Sequence, residues 1–347
     1  MTRLGRPTIA GRLAALLLGF LMLLALAEIG LRFAMPQWPE FYSARFMRAI
    51  DVDGYGHLAT GQPGFDGWFS QNNGDFRARI QINDFGLRNQ DPVEAADGAI
   101  WVVGDSMTFG WGVERDEMYS SRISEVLGAR TYNVASPGAD VCGYQALVAR
   151  MPEHIRPAAV VVGLVLENDL LTYNCAAQAT AVSAPGPTRL IDVKFWLTGN
   201  SALYNVLAVT LKRVDLVRRT LIAVGLVNEE QAYKRFFEAE EVNAVTASTA
   251  AELANLHGQL PPGVPFAVLI IPARFEIAYD DWPYHQARVT LSEALQSRGI
   301  GVIDPIEGFE AAGFKPTHFV HDGHWSPLGH RIAGQAVADW LRANIHH

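Results

Sequence analysis

A serine placed beside an aspartate at the end of an apolar run is the first point in this chain where chemistry could sit. The run "VVGDSMTFGWGV", residues 102–113, carries Asp105 and Ser106 out of a Val-rich segment into a short polar turn. In open parallel sheets, ligands bind just beyond the carboxyl ends of the strands, so Ser106 stands where a nucleophile would. A serine hydroxyl is weak unless a base takes its proton, and the base must be oriented by a third group. Both partners occur in "HFVHDGHWSPLGH", residues 318–330. There His324 follows Asp322 by two residues, just before a helix start with Ser326 as N-cap and Pro327 at its first position. Asp322 could accept from Nδ1 of His324, leaving Nε2 to take the serine proton. The same stretch also permits two other readings. One is a metal site built from His318, His321, His324 and Asp322, because histidine is a common zinc and iron ligand. The other is a purely structural histidine cluster.

A serine attacking a carbonyl also needs donors for the developing oxyanion. "NVASPGADVCGYQ" places Gly138 at the end of a second apolar run, where an amide N–H can point at a ligand with no side chain in the way. "VLENDL" places Asn168 at the end of a third run, and its primary amide is a second donor. The Ser106 N–H is the third. Taken singly, a loop Gly or Asn usually serves only the turn. Three such positions at the ends of three successive runs form a pattern.

These positions need elements to hold them. Five continuous apolar runs of strand length recur: "AIWVVGD" (99–105), "RTYNVAS" (130–136), "AAVVVGLVL" (158–166), "FAVLIIPA" (266–273) and "GIGVIDP" (299–305). Their Val and Ile content is that of strands buried on both faces. Helical segments such as "MYSSRISEVLG" and "GYQALVARMPEHI" lie between them, which predicts an α/β fold with a covered parallel sheet. The gap from the third run to the fourth is too long for one crossover. "NEEQAYKRFFEAEEVNAVTASTAAELANLHGQL" predicts the amphipathic crossover helix. "LYNVLAVTLKRVDLVRRTLIAVGLV" is apolar on most faces, with Lys212, Arg213, Arg218 and Arg219 clustered. It reads as a packed helical insert, a lid, or a membrane-surface helix. Residues 36–98 read as an irregular, aromatic-rich lead-in.

Bulk properties exclude some functions. The net charge of −8 and pI near 5.7 lack the basic stripe that a nucleic-acid partner requires. Two cysteines cannot build a CxxC…CxxC metal framework. No cofactor-binding motif is present, and no feature specifies a protein partner.

The amino terminus departs from a soluble pattern. After Arg3, Arg6 and Arg12 comes "LAALLLGFLMLLALA", residues 13–27, without a charge. A cleaved signal peptide would end at the small-x-small Ala25-Leu26-Ala27. An uncleaved anchor is the preferred reading, because helix-compatible sequence continues through Ile29, Leu31 and Phe33 to Pro36, with Glu28 and Arg32 spaced i, i+4. The short basic leader places the amino terminus inside and the domain on the extracytoplasmic, periplasmic side.

At this point the chain resembles a known family. "GDS" (104–106), "NVASPG" (133–138), "END" (167–169) and "DGHWSPLGH" (322–330) are similar, in order and spacing, to the four motif blocks of the SGNH hydrolase, or GDSL-like, superfamily. "NDFGLRN", "PARFEIAYDDWPYH" and the anchor ending "EIGLRF" extend the resemblance. It implies a flavodoxin-like three-layer α/β/α sandwich with a five-stranded parallel sheet in the order 2-1-3-4-5. By resemblance Ser106 is the nucleophile, Gly138 and Asn168 line the oxyanion hole, His324 is the base and Asp322 its orienter. The implied organisation is an anchor at 1–35, the lead-in at 36–98, and a hydrolase-like domain at 99–347 with a helical insert at about 176–250 between strands 3 and 4. Three features depart from the pattern: Asp-x-His replaces Asp-x-x-His, Ala135 stands for a glycine, and Leu166 for another. The shorter Asp-x-His spacing resembles the branch that acetylates exported polysaccharides. The expected activity is a serine esterase or O-acyltransferase acting on O-acetyl groups of an envelope or extracellular glycan. The alternatives are a lipid esterase and a non-catalytic carbohydrate-binding or assembly module. With strand order 2-1-3, the loops carrying Cys142 and Cys175 converge at the mouth of the site. The pair is then either a disulfide or two separate thiols.

Overall fold

The computed structural model describes residues 8–71, 74–180, 193, 196–212, 220 and 237–345. The chain divides into two compact units, Met1–Tyr42 with Pro185–Asn228, and Ser43–Ala184 with Glu229–His347.

The larger unit is built on the expected sheet. Strands β5 (Ile100–Gly104), β6 (Thr131–Ala135), β7 (Ala159–Val165), β8 (Phe266–Ile271) and β9 (Gly301–Ile303) pair in parallel in the order β6-β5-β7-β8-β9. Period-2 alternation divides their side chains between two cores, one on each face. Trp101, Val103, Val160, Val162, Val268 and Ile270 face one, together with helices Val141–Ala149, Val242–Gln259 and Trp282–Gln296. Ile100, Val102, Val161, Ala267 and Leu269 face the other, with helices Tyr119–Leu127 and Pro327–Asn344. The result is a three-layer α/β/α sandwich. Gly104 pairs with both Ala135 and Gly163, so β6, β5 and β7 come to an end close together and their following loops leave at one edge.

The described crossover helix begins partway into its sequence pattern, whose residues 228–236 lie outside the described residues. It spans Val242–Gln259, and a capping box between Glu238 and Glu241 prepares its start. The lead-in is more regular than expected. β1 (Met47–Val52) and β2 (Gly56–Gly61) form one antiparallel hairpin, and β3 (Asp66–Ser70) and β4 (Arg77–Gln81) form a second. The alternation in "RARIQ", with Ala78 and Ile80 inward and Arg77 and Arg79 outward, is the signal for β4. The second hairpin is anchored by an aromatic cluster of Phe46, Phe69, Phe76 and Phe109.

In the smaller unit, helix Ile9–Ala34 runs unbroken through Ala27 and is long and apolar enough to cross a membrane. The Glu28 carboxylate accepts from Arg32 Nε at 2.7 Å, Ser201 Oγ at 2.9 Å, Ala202 N at 3.0 Å and Leu203 N at 2.8 Å. It therefore caps helix Ala202–Lys212, the described part of the insert's apolar stretch. Arg213, Arg218 and Arg219 lie outside the described residues, and the lid and surface-helix readings of that segment lie outside them too.

Candidate active site

The site begins with why Asp105 precedes Ser106. Asp105 is the N-cap of the one-turn helix Ser106–Phe109, its carboxylate accepting from Met107 N at 2.9 Å. This makes Ser106 the first helical residue, with an N–H that has no acceptor in its own helix. Helix and sheet approach closely: a Cβ on Gly104 or on Gly163 would collide with Thr108 Oγ1. Behind the turn, the buried Arg88 guanidinium donates to the carbonyls of Phe109, Gly110, Val113 and Arg79. Burial lowers its pKa to about 10. The motif "NDFGLRN" is thus a brace for the Ser106 turn, completed by Asn89, whose side chain bonds both N and O of Asn133 on the sheet edge.

After β6, Ser136 Oγ donates to Ala59 O at 2.7 Å and fixes the turn in which Gly138 has φ +81°. The left-handed conformation explains glycine there. The loop is also tied by a disulfide between Cys142 and Cys175, with Cα atoms 5.2 Å apart and a sequence separation of 33. On the chain-entropy model such a loop closure stabilises by about 3–4 kcal/mol. After β7, Asn168 sits in the short helix Leu166–Asp169, its side chain hydrogen-bonded to the Asp105 carboxylate. Burial pushes the Asp105 carboxyl up, while the bonds from Met107 and Asn168 oppose the rise. Asp105 therefore joins the Ser106 helix to the candidate oxyanion amide, a link with no mark in the sequence. Next to it, Glu167 accepts from Arg274 N at 2.6 Å and Nε at 2.9 Å. The departures Ala135 and Leu166 are both buried in apolar clusters.

The third component is the loop before helix Pro327–Asn344, where Ser326 caps through Leu328 N and Pro327 opens the helix as expected. A bridge between His318 and Trp325 closes this loop. Gly323, at φ +87°, lies so near Arg274 that any Cβ would strike its guanidinium. That glycine turn allows the short Asp-x-His spacing. Asp322 Oδ1 bonds His324 Nδ1, and His324 Nε2 lies 2.8 Å from Ser106 Oγ. Asp322 Oδ2 accepts from Gln71 Nε2 at 2.6 Å. Burial would raise the Asp322 carboxyl, but its bonds from His324 and Gln71 carry it below the usual carboxylate range. Trp111 stacks on the His324 ring with centroids 5.4 Å apart. Proton on Asp322-facing Nδ1 and lone pair on Ser106-facing Nε2 is the arrangement of a general base beside a nucleophile.

The remaining histidines face elsewhere. His318 is buried against Thr317, and His321 Nδ1 pairs with Asp75 Oδ1 at 2.7 Å. His330 is buried with Tyr119 N donating to its Nδ1 at 3.3 Å. Burial lowers both His318 and His330 to about 3, so each is neutral at ordinary pH. Among the described residues, no three His, Cys, Asp or Glu side chains are grouped to hold a metal ion.

No family model matches the chain, and no curated protein matches it. Among solved structures, it is similar to a protein assigned as an SGNH hydrolase from Slackia heliotrinireducens. That match has 13% identity and a TM-score of 0.36, covering 71% of this chain and 99% of that one. It is also similar to a member of the lipolytic protein G-D-S-L family from Veillonella parvula, at 11% identity and TM-score 0.38, covering 71% and 99%. A third is a carbohydrate esterase family 2 enzyme with its carbohydrate-binding domain from Corynascus thermopiles. Here identity is 17% and the TM-score 0.40, covering 74% of this chain and 68% of that one. These likenesses are distant, and the reading of the site rests on its own geometry.

Proposed function

We propose that the chain is a membrane-anchored serine esterase or O-acyltransferase of the SGNH type. The observation that carries this reading is the continuous relay Asp322–His324–Ser106, ending at 2.8 Å between His324 Nε2 and Ser106 Oγ. Ser106 Oγ attacks the ester carbonyl carbon while His324 Nε2 takes its proton, and Asp322 steadies the resulting imidazolium. The Ser106 and Gly138 N–H groups and the Asn168 amide hold the tetrahedral oxyanion. Collapse expels the alcohol, which leaves with the proton from His324, and Ser106 keeps the acyl group. In the second half, water or a sugar hydroxyl gives its proton to His324 and attacks the acyl-enzyme. Water yields hydrolysis, and a sugar hydroxyl yields transfer.

A small acyl group, most simply acetyl, on an envelope or extracellular glycan is the substrate class. A groove of about 280 Å³ borders Gly138 and is lined in part by Tyr55, His57, Asp140 and Gln178. These side chains suit a hydroxyl-rich acceptor better than an alkyl chain. Asn168→Ala is expected to lower kcat on an activated acetyl ester about 10²- to 10³-fold, as for one oxyanion donor. Assay of acetate released to water against acetyl transferred to glycan hydroxyls separates the two activities; a loss below about threefold would remove Asn168 from the oxyanion role.

The extracytoplasmic placement is supported by the disulfide, which persists in oxidising compartments. The retained anchor is supported by the helix unbroken across Ala27–Glu28 and by Glu28 capping a second helix. The chain is expected to stay with membranes through alkaline extraction and to be open to protease from outside. A mature protein beginning at Glu28 would contradict this.

A further inference from the structure

We propose that Gln71 is a positioning residue for the Asp322–His324–Ser106 relay, a role that rests on that relay being catalytic. Asp322 uses one oxygen for His324, taking both its Nδ1 and, at 3.3 Å, its backbone N–H. The other oxygen receives the Gln71 amide at 2.6 Å, and the carboxylate side chain is only 8% exposed. A carboxylate held at one oxygen can swing about its own bond; held at both, its plane is fixed and Oδ1 stays on His324. Only the NH₂ group of Gln71 can serve, since an ionised carboxylate is purely an acceptor.

The hairpin delivers this amide to a defined place. Gln71 N donates to Phe76 O, and Gly74 N donates to Gln71 O, both at 3.1 Å, so the residue is fixed at the end of the β3–β4 ladder. Three contacts then join the hairpin end to the loop bearing the relay: Gln71 with Asp322, Asp75 with His321 N at 2.8 Å, and Phe76 with Phe319 at 5.1 Å between centroids. On the other side, Phe69 meets Trp111 edge-on at 4.6 Å, and Trp111 stacks on His324. The hairpin thereby braces base and nucleophile together, and Gln71 is the point where the brace reaches the relay itself.

A double-mutant cycle on the detergent-solubilised full chain tests this, with an activated aryl acetate as substrate. Gln71→Met keeps the length and removes the donor; kcat should fall about 10- to 100-fold, the effect of one charge-assisted hydrogen bond, with KM within about twofold. Gln71→Glu, which sets a second carboxylate against Asp322, should lose at least as much. In an Asp322→Ala background there is no carboxylate to hold, so Gln71→Met should change kcat less than about twofold. Thermal melts of each variant register any loss of fold. An unchanged kcat in Gln71→Met, or the same loss persisting without Asp322, overturns the positioning role. Wild-type turnover by Asp322→Ala itself would instead overturn the relay on which the role rests.

Discussion

Ser106→Ala and His324→Ala are each expected to lower kcat toward an activated acetyl ester about 10⁵- to 10⁶-fold, with the melting temperature little changed. Members of a nucleophile–base pair act as one unit, so losing either costs nearly as much as losing both. The geometry allows no substitute for either. Ser106 is held at the first turn of its helix by the Asp105 cap, and His324 is confined between Asp322 and the Trp111 ring. The double variant should therefore be barely slower than either single one. Steady-state assays of the three variants check this. Additive losses would contradict a joint role, and activity surviving Ser106→Ala would remove the covalent step. Inhibition by a chelator would restore the metal reading of the histidine cluster.

The second large effect is expected at Asp322→Asn, about 10⁴-fold in kcat. The new side chain has one oxygen and one NH₂ where two acceptors are needed. Gln71 presents an NH₂ on one side, at 2.6 Å, so the oxygen satisfies Gln71 and the NH₂ turns to His324. His324 Nδ1 then becomes an acceptor, its proton moves to Nε2, and Nε2 can no longer take the serine proton. The loss should fall on kcat with KM nearly unchanged, measured on the same ester. A decrease of less than about tenfold would mean that Asp322 does not set the tautomer.

What was legible in the sequence was whatever a local pattern carries. The five strands were visible because residues buried on both faces make continuous Val- and Ile-rich runs, and each observed strand falls within its expected run. Ser106, Asp322 and His324 stand out as candidates because nucleophile, orienter and base have restricted chemical identities, and the structure brings the three side chains together. The aspartate and histidine also lie in one turn. Gln71 was not visible: it sits in a polar turn and meets a partner 251 residues away, and a glutamine in a turn has no local mark. Asp105 stands beside the serine in the sequence, but its hydrogen bond to Asn168 depends on β5 and β7 being neighbours. The first hairpin of the lead-in is obscured because β1 and β2 are half-exposed and lack clean alternation. The disulfide has no local mark in the sequence, because it depends on the approach of the loops after β6 and β7.

The most direct measurement is fluorophosphonate labelling of the folded full chain, with the modified residue mapped by mass spectrometry. A serine made nucleophilic by the Asp322–His324 relay should take one phosphonyl group at Ser106. The label should be absent from Ser106→Ala and form much more slowly in His324→Ala. A folded chain that takes no label, or one labelled equally well after Ser106→Ala, would contradict a serine nucleophile at this site.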